Sequence, residues 1–379
     1  MFLWKEISGR DEAFMAEAVK LAYQGRGATA PNPCVGAVLV DDDRVVAQGW
    51  HTRFGKLHAE RECLADAKRR GVNPAGMTMY VTLEPCNHHG KTPPCTEAII
   101  EAKVGRVMVG ALDPNPKAAG GVQRLRDNGI EVVTGVLERE CLDLLADFRL
   151  WQESHSTFNI LKMAATLDGK IASRRKMPEA VSCARSFEDV HELRSKVGAV
   201  VVGGNTFYAD NPSLTCRQTP LPEDFTQPLA VVTTSRLPES DSRATLIAER
   251  AQSTIFWTTD AAARSEKADA LRALGVRVWP LPGGPGCLNL ALGFERLRYE
   301  YGVHYTLCEG GGGLAMQLME QGLADEIVHY VAPRVLGDNL APSAYSGRGD
   351  VSMRDALNLR ITRVEPSGTD IRLTLRLDD

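Results

Sequence analysis

No stretch of this 379-residue chain approaches the roughly 18 consecutive apolar residues that a membrane helix needs. The opening MFLWKEISGRDEAF carries Glu6, Asp11 and Glu12 and lacks the unbroken apolar stretch of a signal peptide, so a soluble, cytoplasmic protein without a membrane partner is expected. Positive charge is not in excess either. Across the chain 44 Lys and Arg stand against 48 Asp and Glu, and residues 1–150 hold 19 against 20. A nucleic-acid partner needs a clustered basic surface and usually stacking rings, yet aromatics make up only 6% of residues; none is expected. A tight cysteine framework is also missing. Nine cysteines, an odd number, spread from Cys34 to Cys308, which favours metal binding, catalysis or plain burial over disulfides. Repeats and low-complexity tracts are absent.

What is present is a globular composition, 44% hydrophobic and 24% charged, at a length that favours two domains. DEAFMAEAVKLAYQ places Phe14, Met15, Ala18, Val19 and Ala22 at helical spacing. CVGAVLV and RVVAQGW flank Asp41, Asp42 and Asp43 and read as a hairpin. Residues 58–70 read as a helix, MTMYVTL as a strand, TEAIIEAK as a helix, RVMVGAL as a strand, and GVQRLRDNG then IEVVTG as helix and strand. ERECLDLLADFRLWQ reads as one helix running into the polar connector ESHSTFN, so the domains are expected at 1–150 and 158–379. The second half restarts at FNILKMAATLDGKIA. Helices in SFEDVHELRSK and ARSEKADALRAL then alternate with strands at GAVVVGG, LAVVTT, STIFWTT and VRVWPL. Strands alternating with helices in both halves predict α/β layers with a partly parallel sheet.

The first half carries a metal constellation. Zinc takes borderline donors in a tetrahedron, and a catalytic site supplies three from the protein. His58 precedes a predicted helix, and Cys86 and Cys95 each follow a proline, in TLEPC and TPPC. A thiol near a helix N-terminus has its thiolate favoured, as a metal ligand requires. Glu60, two residues from His58, is then a carboxylate that does not bind metal but moves protons between water and a leaving amine. The zinc-deaminase pattern is H-x-E followed by P-C-x-x-C. HAE and PC fit it, whereas eight residues, NHHGKTPP, separate Cys86 from Cys95. A structural zinc module would need a fourth ligand, for which only His88, His89 or Cys63 offers itself.

In the second half EGGGGLA follows the apolar HYTLC and opens a predicted helix. A glycine turn there can cradle a phosphate on backbone N–H groups. It is not the G-x-G-x-x-G fingerprint.

HAE with EPCNHHGKTPPC, preceded by PNPCVGAV and followed by DPNP, resembles the deaminase of riboflavin biosynthesis, whose loop between the cysteines is longer. LKMAATLDGKIA, VVVGGNTFYADNPSLTCR and EGGGGLAMQLMEQGLADEI resemble its reductase partner, so the chain is similar throughout to the bifunctional deaminase–reductase family. The resemblance implies a cytidine-deaminase-like domain and a dihydrofolate-reductase-like domain. The first would deaminate 2,5-diamino-6-ribosylamino-4-pyrimidinone 5′-phosphate with zinc, and the second would reduce the ribosyl group to ribityl with NADPH. It further implies a homo-oligomer, dimer or tetramer. By the same resemblance Asn32, His51, His88, Lys91 and Asn115 contact the deaminase substrate. Lys162, Arg194, Leu214, Arg217 and Glu309 serve the reductase substrate, the arginines suiting its phosphate. Ala164, Thr206, Asp210, Gly311, Gly312, Gly313 and Leu314 contact NADPH. MPEAVSC departs from the family: Pro178 and Ala180 stand where a polar and an aromatic residue line the reductase pocket. Without that ring the chain would be a deaminase carrying a degenerate reductase domain. A nucleic-acid base deaminase would share His58, Glu60, Cys86 and Cys95 but call for a basic groove.

Overall fold

Buried strands in a layered α/β fold are apolar on both faces, whereas each helix needs only one apolar stripe. The computed structural model describes residues 7–88, 93–115, 118–174, 179–217, 220–284 and 287–378. The chain divides between Ser154 and His155 into two compact units.

In the first unit the elements are α1 (Gly9–Tyr23), β1 (Gly36–Asp41), β2 (Arg44–Trp50), α2 (Ala59–Arg69), β3 (Thr78–Leu83), α3 (Cys95–Glu101), β4 (Arg106–Ala111), α4 (Gly121–Asp127), β5 (Glu131–Thr134), α5 (Glu138–Leu144) and α6 (Ala146–Glu153). The sheet runs β2-β1-β3-β4-β5. β1 is antiparallel to β2 and β3, while β3, β4 and β5 are parallel. GAVLV of β1 is buried without interruption, as expected of a strand covered on both faces. Met15, Leu39, Met79, Ile99 and Met108 are wholly buried in this core. Two glycines bring the helices close. A Cβ on Gly36 would lie 2.0 Å from the Ala18 carbonyl oxygen of α1, and one on Gly49 would lie 2.2 Å from the Cys63 nitrogen of α2.

The expected single helix over ERECLDLLADFRLWQ is two. Leu145 leaves helical geometry at φ −93° and ψ 3°, and buried Asp147 turns its carboxylate onto the Phe148 N–H at 2.6 Å. α5 seats Cys141 against Gly110 of β4, and the break lets α6 turn Phe148 and Gln152 toward a cavity.

The second unit contains β6 (Phe158–Thr166), α7 (Ala184–Ser195), β7 (Ala199–Gly203), α8 (Gly204–Asp210), β8 (Leu229–Thr233), α9 (Thr245–Ala248), β9 (Thr254–Thr258), α10 (Asp260–Ala263), α11 (Glu266–Ala273) and β10 (Arg277–Pro280). A two-residue pair follows, β11 (Gly283–Gly284) and β12 (Cys287–Leu288). Then come α12 (Leu290–Tyr301), β13 (Tyr305–Cys308), α13 (Gly312–Glu320), β14 (Glu326–Ala332), β15 (Leu359–Ser367) and β16 (Asp370–Leu377). The main sheet runs β10-β9-β8-β7-β13-β6-β14-β16-β15. Its strands are parallel from β10 to β14, and β16 pairs antiparallel with both neighbours. The helix expected over ARSEKADALRAL begins only at Glu266, because Ser265 caps α11 through the Ala268 N–H. Among the described residues no helix is long and apolar enough to cross a membrane.

Candidate active sites

In the first unit His58 is the N-cap of α2, and its Nδ1 lies 3.6 Å from the Cys86 sulfur and 3.5 Å from the Cys95 sulfur. Cys86 follows β3 in a loop, and Cys95 opens α3. A tetrahedral zinc with Zn–S near 2.3 Å and Zn–N near 2.05 Å sets its nitrogen and sulfur ligands about 3.6 Å apart. The His58 nitrogen therefore already stands at the spacing zinc requires from both sulfurs, and these three, with ligand atoms within 4.8 Å of one another, are the candidate metal group among the described residues. The Cys95 N–H points at Cys86 Sγ across 3.4 Å. Hydrogen bonds from Cys95 and His58 outweigh burial and hold the Cys86 thiol below its ordinary range, while the same contact and burial push Cys95 up.

Glu60 lies on the first turn of α2, only 3% exposed, and burial pushes its carboxyl up to about 7. His58, Cys86 and Glu60 open into a cavity of about 390 Å³, and Cys95 is buried behind them. Asn32, His51, His88 and Asn115 all line it. Lys91 lies outside the described residues, as does His89. His51 Nδ1 sits 2.9 Å from the Leu57 carbonyl, which can only accept, so Nδ1 carries the proton. Its Nε2 then accepts from Asn32 Nδ2 at 3.3 Å. Burial lowers the basicity of this ring; it is neutral, and the pair fixes Asn32 with Oδ1 as its remaining acceptor. Glu84, Asp113, Phe148 and Gln152 line the cavity as well. No local signal in the sequence assigns these four a role. EPC and DPNP were visible as motifs, whereas nothing in α6 announced a wall of the site.

The second unit holds a cavity of about 280 Å³. Lys162, Ala164, Arg194, Thr206, Asp210, Leu214, Glu309 and Gly311 line it, drawn from β6, α7, α8, the loop after α8 and the loop before α13. Arg194 grips Glu309 through both carboxylate oxygens, at 2.7 and 2.9 Å, and gives a third bond to the Thr215 carbonyl at 2.9 Å. Its fork is thus spent on Glu309, which alters the expectation that it clamps a phosphate. Burial lowers the Lys162 amine from its ordinary range and Glu309 draws it back up. Burial also raises the Asp210 carboxyl. Arg217 stands outside the cavity wall, bonded through Nη1 to Ser213 Oγ at 3.1 Å.

Gly312, Gly313 and Leu314 open α13 behind its N-cap, Gly311. None of these glycines has a positive φ; they provide space rather than a turn. A Cβ on Gly311 or Gly313 would meet nothing within 3.8 Å, so a ligand has room against the backbone there, whereas one on Gly312 would strike the Ser343 carbonyl at 2.3 Å. That cradle at a helix N-terminus fits the phosphates of a dinucleotide. Of the departing segment, Pro178 lies outside the described residues, and the Ala180 carbonyl accepts from Arg334 at 3.0 Å. Val181 and Ser182 line the cavity, and Phe187 of α7 supplies it with an aromatic ring.

The comparisons with known proteins cover both units. Residues 8–111 match the cytidine and deoxycytidylate deaminase zinc-binding region, and residues 157–373 match the RibD C-terminal domain. The chain is 37% identical to riboflavin biosynthesis protein RibD of Bacillus amyloliquefaciens, over 96% of this chain and 95% of the relative. It is 35% identical to that of Escherichia coli, over 97% and 99%. Among solved structures it superposes on RibD of Acinetobacter baumannii with a TM-score of 0.70 at 33% identity, covering 98% and 99% of the two chains. With a diaminohydroxyphosphoribosylaminopyrimidine deaminase/5-amino-6-(5-phosphoribosylamino)uracil reductase of Thermotoga maritima the TM-score is 0.72 at 33% identity, covering 97% and 98%. Likeness of this depth through both units, in the same order, makes the chain a member of the RibD family of riboflavin biosynthesis proteins.

Proposed function

We propose that this chain carries out two steps of riboflavin biosynthesis on a small-molecule pyrimidine ribotide. The first unit hydrolyses the 2-amino group of 2,5-diamino-6-ribosylamino-4(3H)-pyrimidinone 5′-phosphate. The second reduces the ribosyl side chain to ribityl with NADPH. The observation that carries the reading is the His58, Cys86 and Cys95 donor set, with His58, Cys86 and buried Glu60 facing one cavity.

Zinc held by His58 Nδ1, Cys86 Sγ and Cys95 Sγ supplies the Lewis acidity that makes water nucleophilic near neutral pH. Glu60 takes the proton of the attacking water on its carboxylate and passes it to the departing nitrogen, which leaves as ammonia while the ring carbon gains oxygen. Asn32 Oδ1, set by neutral His51, accepts from a ring N–H. Asn115, His88 and Lys91 hold the rest of the ribotide.

NADPH along Gly311, Gly312, Gly313 and Leu314, with Ala164, Thr206 and Asp210, supplies hydride to the second unit. Lys162, next to Glu309, gives a proton from Nζ; Arg194 keeps Glu309 in place; Leu214 and Arg217 complete the substrate side. The pocket is assembled and holds an aromatic in Phe187, which supports two activities over a degenerate reductase domain. The reading extends to a dimeric or tetrameric homo-oligomer in the reducing cytoplasm, consistent with nine cysteines that form no disulfide.

The test is incubation of zinc-loaded protein with the ribotide, with and without NADPH, following ammonia and NADPH absorbance separately. Absence of ammonia would overturn the deaminase; ammonia without NADPH consumption would overturn the reductase.

A further inference from the structure

Two buried carboxylates line the zinc-donor cavity, and their partners separate their tasks. Glu60 is 3% exposed and Glu84 is 6% exposed. Glu84 follows β3 directly, its own N–H bonded to the Ala111 carbonyl at 2.9 Å. Its Oε1 accepts the N–H groups of Gly120 at 3.1 Å and Val122 at 3.0 Å, and its Oε2 accepts that of Asp113 at 3.2 Å. Burying a carboxylate is costly unless hydrogen bonds offset it, and three backbone donors on the two oxygens do so. Lone pairs committed in this way are poorly placed to take a proton from substrate or water.

The three donors lie on one segment, from the end of β4 to the first turn of α4. That segment carries the cavity residues Asp113 and Asn115. Asp113 Oδ1 accepts from the Asn115 N–H at 2.8 Å, so a chain of bonds runs from Glu84 through Asp113 to Asn115. The segment is pressed onto the Cys86 loop at other points too. The Asn87 N–H reaches the Ala118 carbonyl at 3.2 Å, and a Cβ on Gly121 would lie 1.8 Å from the Pro85 carbonyl oxygen. Glu84 therefore ties the loop bearing a zinc donor to the loop bearing Asn115.

We infer that Glu84 is a positioning residue of the deaminase cavity, which sets Asn115 against the substrate through Asp113. The inference rests on the deaminase reading. Glu84→Gln keeps the shape but turns an amide donor onto a backbone donor. It should raise KM for the ribotide about tenfold or more, as the loss of a buried hydrogen bond does. The kcat should stay within about twofold and the zinc content should be unchanged, because Glu60 and the metal donors keep their own partners.

A double-mutant cycle separates positioning from general stability. Asn115→Ala alone should raise KM, and adding Glu84→Gln should then change it by less than about twofold, because the two act in series. Unchanged KM in Glu84→Gln, a collapse of kcat at constant KM, loss of zinc, or full additivity would each overturn the inference. Should Glu84→Gln not fold, Glu84→Asp, one methylene shorter, is read by the same split. Should the wild-type protein release no ammonia, the deaminase reading falls instead, and Glu84 is tested by hydrogen exchange at the Asp113, Gly120 and Val122 amides. Faster exchange in the variant supports the tie; unchanged exchange refutes it.

Discussion

Arg250 holds Leu214 in the left-handed backbone region: its Nη1 donates to the Ser213 and Leu214 carbonyls at 2.6 and 3.2 Å, and Leu214 has φ 51°. A branched residue there costs on the order of 1–3 kcal/mol and persists only where its surroundings over-determine it. Arg250 is further braced on the Pro228 carbonyl at 2.6 Å, and Leu214 is 2% exposed in the wall of the second cavity. Arg250→Ala should let the loop relax out of the pocket. NADPH oxidation should fall about tenfold, as about 1.4 kcal/mol of strain release implies, while ammonia release by the other unit stays constant. Both are readable on one sample, and unaltered NADPH oxidation would show that Arg250 does not hold the loop.

For the metal site the expectation is a separation of ligand from proton carrier. Glu60→Gln should retain zinc and lose about 10²- to 10⁴-fold in deamination, the usual worth of a positioned acid–base group. Cys86→Ser should lose zinc and activity together. Metal analysis alongside ammonia release distinguishes the two, and a fully active Glu60→Gln would remove Glu60 from the proton path.

These sites were unevenly legible in the sequence. His58, Glu60, Cys86 and Cys95 carry chemistry that few residue types can supply, at spacings that place them on the ends of α2, β3 and α3, so local reading reached them. Glu84 was visible in the same motif, but its task depends on the amides of Gly120 and Val122, a long-range pairing without a local trace. Thr206 and Asp210 sit on α8, a seven-residue helix that begins at glycines and is too short to show a period. The family resemblance sets Arg194 on the reductase-substrate side. Its partner Glu309 lies 115 positions away, and only the fold brings them together. The break at Leu145 escaped for a related reason: α5 follows β4 while α6 follows the cavity, a choice made by tertiary packing rather than helix propensity.

The Arg194 and Glu309 pair also has a pH signature. Burial alone would raise the Glu309 carboxyl, but Arg194 and Lys162 hold it below its ordinary value of 4.5. A depressed folded value means that the stabilisation is present above the unfolded value and is lost as pH falls through the folded one. Glu309→Gln leaves two cations without their counter-charge and should destabilise the protein at pH 7 by on the order of 3 kcal/mol. The gap from wild type should narrow as pH drops below about 4.5. Urea unfolding of both proteins from pH 7 to pH 3 checks this, and a gap that does not change with pH would show that the pair contributes no charge-dependent stability.

Gly49 ties the fold to the metal site through space rather than through chemistry. A Cβ at this position in β2 would lie 2.2 Å from the Cys63 nitrogen and 2.7 Å from the Ala59 carbonyl oxygen. Both are backbone atoms of α2 and cannot swing aside as a side chain would, so Gly49→Ala must push the helix off the sheet, at a cost of about 1–3 kcal/mol. His58 caps that helix and Glu60 rides on its first turn, whereas Cys86 and Cys95 are carried by a different loop and helix. The displacement therefore acts on the 3.5 and 3.6 Å spacings between His58 and the sulfurs. Zinc affinity should fall by about 10-fold or more, because metal donors tolerate only about 0.2 Å of misplacement. Ammonia release should fall with it, and NADPH oxidation should be spared. Competition against a colorimetric chelator measures the affinity; a Gly49→Ala protein that binds zinc as tightly as wild type would show that the donors move with the sheet and not with α2.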